Sequence, residues 1–182
     1  MRRASLLALV CAAALVLSGC GAGHASSDSE KSWAADISAT SAQASSDLER
    51  KVLSDGRITD AEYSELQAAI LRCLDGLGLK ASFDAEGTLT YATSRSTPID
   101  RDAVQACNAG NGIRTITLRD AMRRNPSHLD EGKIMVDCLQ RVHLVESSYT
   151  AEMYDSGVDM ARISASPLFD ECDADPLHFE KK

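Results

Sequence analysis

Four cysteines, Cys73, Cys107, Cys138 and Cys172, fall into two pairs whose members stand 34 residues apart in each case. Nothing else in the chain limits the fold as much, provided the thiols meet an oxidising compartment, because two cross-links fix four points of the backbone. Four cysteines allow three connectivities. The equal spacing favours Cys73–Cys107 together with Cys138–Cys172. Aligned without gaps, the two stretches share Cys-Leu at 73–74 and 138–139, and Leu79, Ser82 and Ala109 match Leu144, Ser147 and Ala174. The segments 58–109 and 127–174 therefore read as candidate duplicated halves around different middles. On the chain-entropy account each such loop restricts the unfolded chain by roughly 3–4 kcal/mol.

The N-terminus bears on the compartment. Arg2 and Arg3 precede an apolar run from Leu6 to Leu17. Twelve residues are too few to cross ~30 Å of hydrocarbon, which takes about 20, so the run reads as the core of a secretory signal. Leu17-Ser18-Gly19-Cys20 follows, and these four residues resemble the lipobox of bacterial lipoproteins. The resemblance implies that the signal 1–19 is cut before Cys20, that Cys20 carries a diacylglyceryl group, and that the new amine is acylated, as by palmitate. An ordinary signal cut near Gly21 or Ala22 is the competing reading. Two acyl chains, at ~0.8 kcal/mol per buried methylene, suffice for stable attachment. Residues 20–32, rich in Gly, Ala and Ser, read as a flexible tether. The expected location is the extracytoplasmic face of the plasma membrane, with the lipid anchor as the membrane contact.

Losing 1–19 removes two of the 19 basic residues and none of the 27 acids, so the net charge moves from −8 to −10. Such a chain has no electrostatic footprint for nucleic acid. Anionic headgroups would repel it, which leaves attachment to the lipid. The remaining length fits a single disulfide-stapled domain over 33–182.

Periodicity predicts a mainly α fold with one β-hairpin. Trp33, Ile37, Ala44, Leu48, Val52 and Leu53 form one stripe, which predicts a helix over 30–54 ended by Asp55-Gly56. Thr59 and Glu62 make a capping box, with Ile58 and Tyr63 as its hydrophobic staple, for a helix from Asp60 to about Asp75. Alternation over 79–94 predicts the hairpin. Further helices are expected over 98–107, 116–124, 128–144 (capped by Ser127) and 151–163, with one more turn over 167–173.

Candidate chemistry is sparse. There is no C-x-x-C, and His128, His143 and His178 each lack a second ligand at helical spacing, so structural disulfides are expected and a metal site or cofactor is not. Asp55-Gly56-x-Ile58-x-x-x-Glu62 matches the second half of an EF-hand loop, but Lys51 and Leu53 stand where the first oxygen ligands belong, so a capped helix–turn–helix is the expectation. Asp170, Glu171, Asp173 and Asp175, with Asp155 and Asp159 upstream, form an acidic cluster that reads as a solvated surface before it reads as a cation site. No G-x-S-x-G, S-x-x-K, H-E-x-x-H or phosphate loop is present.

The segment from Asp55 to Tyr63, together with Cys138-Leu139 and Tyr149-Thr150-Ala151-Glu152, resembles a group of small actinobacterial lipoproteins. That resemblance implies location and architecture and carries no biochemical role. The expected function is a membrane-anchored, non-enzymatic cell-surface module that binds a protein or envelope component. The alternative is a small-molecule or cation-binding accessory lipoprotein, although a two-lobed solute receptor generally needs a longer chain.

Overall fold

Thr59 opens the longest helix as its neighbours predict. Its hydroxyl accepts from the Glu62 N–H, and the Glu62 carboxylate accepts from the Thr59 N–H at 3.0 Å. Ile58, just before the cap, is buried. The computed structural model describes residues 32–84, 87–93 and 98–180. The signal 1–19, Cys20 and the tether up to residue 31 lie outside the described residues. In chain order the elements are α1 (Ala34–Ala42), α2 (Asp47–Val52), α3 (Asp60–Gly76), β1 (Leu79–Phe83), β2 (Leu89–Thr93), α4 (Arg101–Gly110), α5 (Ile113–Arg124), α6 (Glu131–Arg141), α7 (Ala151–Asp155), α8 (Met160–Ile163) and α9 (Pro167–Ala174). The fold is mainly helical with one antiparallel hairpin, in register Leu79↔Thr93 to Phe83↔Leu89. No helix among the described residues is long and apolar enough to cross a membrane.

The apolar residues form two separate cores. Leu66, Ile70 and Leu74 from α3 pack with Trp33, Ile37, Val52, Val104 and Ile116 in the first. Met135, Leu139 and Val142 from α6 pack with Tyr149, Ile163 and Cys172 in the second. Each core holds one disulfide. Cys73–Cys107 joins α3 to α4 with a Cα–Cα distance of 5.6 Å, and Cys138–Cys172 joins α6 to α9 at 5.8 Å. The two 34-residue loops are alike at their ends, each running from one helix to another. They differ between, where one contains the hairpin and the other contains α7 and α8.

Asn125 links the cores. Its side chain, 1% exposed, accepts from Leu129 N and donates to Leu129 O, both at 2.8 Å, so it shapes the turn between α5 and α6. Arg124 reaches across from the end of α5 to the Asp173 carbonyl on α9 at 2.8 Å and to the Glu131 carboxylate.

Glu49 is the one carboxylate among the described residues that is fully buried, at 1% exposure. It accepts from Ser45 N at 2.9 Å and from the Thr115 hydroxyl at 2.8 Å. Thr115 lies in the first turn of α5, whose N-cap Gly112 has no side chain to offer. The Glu49 carboxylate therefore sits at the positive end of that helix, with its buried charge met by the Thr115 hydroxyl and by Ser45 N. Gly112 is needed there: its φ is +87°, and a Cβ would come within 2.7 Å of Leu66.

Several boundaries differ from the periodic reading. The helix expected over 30–54 is two helices, because Ser46 caps α2 and the chain turns over 43–46. The helix expected from 128 starts at Glu131, capped by Asp130 and not by Ser127, since His128 takes a left-handed φ of +52°. Leu129, placed inward by that reading, is 48% exposed. The helix expected over 151–163 breaks into α7 and α8, where Gly157 and Asp159 both have positive φ. In the other direction, α4 runs on to Gly110 and α5 starts at Ile113, which shortens the loop expected over 108–112 to two residues.

Candidate functional site

β1 pairs with β2 on one side, and no further strand pairs with β2 among the described residues. Leu79, Ala81 and Phe83 of β1 face the first core, and their cross-strand partners Thr93, Tyr91 and Leu89 lie on the same face. Tyr91 reaches beyond the core and is 40% exposed.

A cleft of about 610 Å³ separates β2 from α4. Tyr91, Pro98, Ile99 and Val104 supply its apolar surface. Arg101, Gln105 and Asn108 supply the polar surface. These three recur on α4 at spacings of four and three, which puts them in one row along the helix. The row ends in an anomaly: the Asn108 Oδ1 is buried and has no hydrogen-bond partner among the described residues. A buried acceptor left unmet costs about 1–3 kcal/mol unless something donates to it. Arg101 makes no ion pair among the described residues, and its neighbour Asp100 is occupied in capping α4 through Asp102 N and Ala103 N. The disulfide to Cys73 anchors the α4 wall to α3. The sequence marked this helix only by Pro98; it did not show the row that faces β2.

The acidic cluster singled out in the sequence is dispersed. Asp170, Glu171 and Asp173 line a second cleft, of about 580 Å³, together with Asp84, Arg123 and Arg124. Arg124 bonds both the carbonyl and the carboxylate of Asp173, at 2.8 and 3.3 Å. Asp175 accepts from the backbone of His178 and lies 3.0 Å from its ring nitrogen. Asp159 pairs with Arg162, and Asp155 packs against the surface of Gly132 on α6. Among the described residues no three His, Cys, Asp or Glu side chains are grouped to hold a metal ion. The EF-hand-like segment is likewise committed: Asp55 accepts from Arg57 N, and Glu62 closes the capping box.

Two shifted groups meet where the hairpin turn packs on the helices. The Tyr63 hydroxyl donates to Asp120 at 2.8 Å. Burial raises the Tyr63 phenol well above its ordinary range, and the bond to Asp120 adds to that. Burial also raises the Asp120 carboxyl, against the opposing pull of the Tyr63 bond and of Arg123, Arg119 and Arg124. Gly87 covers the pair so closely that a Cβ there would lie 2.6 Å from the Tyr63 hydroxyl. The contact holds the hairpin turn against α3 and α5. His128 has a comparable structural place. Its ring lies 4.0 Å from that of Trp33, centroid to centroid, and its Nε2 lies 3.5 Å from Asp36. Comparison with known families, characterised proteins and solved structures finds no match for this chain.

Proposed function

We propose that the chain is a lipid-anchored module on the outer face of the plasma membrane that binds a partner without catalysing a reaction. The observation that carries this reading is the cleft between β2 and α4, where the half-exposed Tyr91 faces a helix row of Arg101, Gln105 and Asn108. Two disulfides fit an oxidising compartment, and the twelve-residue apolar run before Cys20 fits export with lipid attachment. Two of the groups with shifted character, Tyr63 and Asp120, are bonded to each other at a packing contact, which supports a structural role for that pair.

The test is made on the full chain in its own membrane. Intact mass of the purified protein is expected to show a diacylglyceryl-modified Cys20. Photo-crosslinking from Gln105, on the cleft wall, is expected to give discrete adducts on intact cells, and crosslinking from Lys133, on the second core, is expected to give none. An unmodified N-terminus starting beyond Cys20 overturns the anchor. Absence of adducts from every surface position overturns the binding role.

A further inference from the structure

The two cores are each stapled internally and joined lightly. Elements that pack along one another do so within a core: α3 with β1, α4 and α5 in the first, and α6 with α7 and α9 in the second. Each disulfide likewise stays inside its own core. The turn that follows α5 is fastened to the first core. The Asn125 side chain holds Leu129 through two bonds at 2.8 Å, and the Asn125 carbonyl accepts from His128 N at 2.9 Å. The Trp33 indole donates to that same carbonyl, and the His128 ring lies against the indole. The second core starts one residue later, where the Asp130 carboxylate caps α6 through Lys133 N. The Leu129–Asp130 peptide stands between these two fixed bodies. Both residues are exposed, and Leu129 belongs to neither core.

Arg124 bridges the joint. It is the last residue of α5, and its side chain is 17% exposed. One guanidinium nitrogen donates to the Glu131 carboxylate in the first turn of α6. The other donates to the carbonyl and the carboxylate of Asp173 on α9, at 2.8 and 3.3 Å. A planar fork of donors can engage two helices at once, which a lysine ammonium does less well. Asn125 Nδ2 adds a longer contact to Glu131, at 3.5 Å. We propose that the cores are two rigid lobes that swing about the Leu129–Asp130 peptide, and that Arg124 is the latch that holds them closed. Hinges of this kind are a few residues at the end of an element, which absorb the rotation while the packed bodies stay intact. The swing sets the width of the cleft of about 580 Å³, which Asp84 and Thr88 bound from the first lobe and Asp170 and Glu171 from the second. The device does not depend on which partner the module binds.

The experiment measures distances by pulsed electron spin resonance on the full chain in detergent micelles, with both disulfides intact. Spin labels are carried on p-azidophenylalanine at exposed positions, so no cysteine is added. Thr90 on β2 and Asp137 on α6 report across the lobes. Lys51 with Thr90 reports within the first lobe, and Asp137 with Ala165 within the second. The parent is expected to give narrow distributions for all three pairs. Arg124→Ala is expected to widen the cross-lobe distribution by about twofold or more and to leave both within-lobe pairs unchanged. Arg124→Lys, which keeps the charge and loses the fork, is expected to fall between the two. Raising the salt to about 1 M, where screening acts within ~3 Å, is expected to widen the parent's cross-lobe distribution without any substitution. A cross-lobe distribution that stays narrow in Arg124→Ala, with the within-lobe pairs unchanged, overturns the proposal. So does one that is already as wide in the parent. If the within-lobe pairs widen too, Arg124→Ala has lost its fold and the salt series on the parent decides: widening across the lobes alone supports the latch, and no widening overturns it.

Discussion

The indole nitrogen of Trp33 donates to the backbone carbonyl of Asn125 at 2.9 Å, across 92 positions of sequence. Trp33 stands at the start of α1, and Asn125 forms the turn between the two cores, so this bond ties the N-terminal end of the described chain to the joint. Trp33→Phe keeps the ring and removes the donor. We expect it to lower stability by about 1–2 kcal/mol, read as a shift in the urea midpoint. Asn125→Ala keeps the carbonyl that Trp33 uses but removes both side-chain bonds to Leu129, so it should cost more. Trp33 is the sole tryptophan and is 8% exposed, so its emission reports release of α1 directly. A Trp33→Phe variant with an unchanged midpoint would show that the bond contributes nothing.

The two disulfides should act locally. Replacing Cys138 and Cys172 together with alanine removes a loop constraint of roughly 3–4 kcal/mol. Hydrogen exchange is expected to speed up in α6, α7 and α9 and to change little in α3. The Cys73/Cys107 double variant should show the reverse. Uniform loss of protection in both cores, from either variant, would mean that they unfold as one unit.

Asp120 sets a pH dependence. Its folded carboxyl holds a proton above the ordinary value of 3.8. The unfolded chain therefore ionises first as pH rises, and the contribution of this group to stability falls from about that pH until the folded carboxyl has ionised. Asp120→Asn still accepts from the Tyr63 hydroxyl and has no charge to desolvate. Relative to the parent, it should gain stability between pH 4 and pH 7. Denaturation midpoints at both pH values decide the matter, and a relative loss over that interval would contradict it.

Gly87 is expected to tolerate no side chain. Its φ is +88°, and an added Cβ would run into Asp120 and the Tyr63 hydroxyl. Gly87→Ala should cost about 2–4 kcal/mol, from the left-handed backbone and the clash together. Thermal unfolding measures the loss. The downfield hydroxyl proton of Tyr63, visible while it is bonded to Asp120, should disappear.

Legibility in the sequence followed locality. Thr59, Glu62 and the period of α3 are signals within a few residues of one another, and they placed that helix almost to the residue. The equal spacing of the cysteines pointed to the observed pairs. Breaks were harder to read. An apolar stripe continues across 43–46 although the chain turns there, because Ile37 and Val52 reach the same core from two helices. His128 and Asp159 adopt left-handed backbone that their residue types do not demand. The cleft was not legible at all. Its parts, Tyr91 on β2 and the row on α4, come together only when Cys107 is held beside Cys73, and Glu49 looks like any surface acid until Thr115 is packed over it.

Consider the chain under load, with a pull entering at its N-terminal end and resisted by a partner in the cleft. Force peels a protein from where it enters, and α1 would part from Asn125 before anything else yields. The bond between Cys73 and Cys107 stops the unravelling there, because the chain between them, a separation of 34 positions, cannot lengthen while the sulfurs hold. Stretched out, that segment would have added roughly 110 Å of slack. Both β2 and most of α4 lie inside it. The cleft between β2 and α4 would therefore outlast the shape of the rest of the first core, and reducing agent, not tension, would be what opens it.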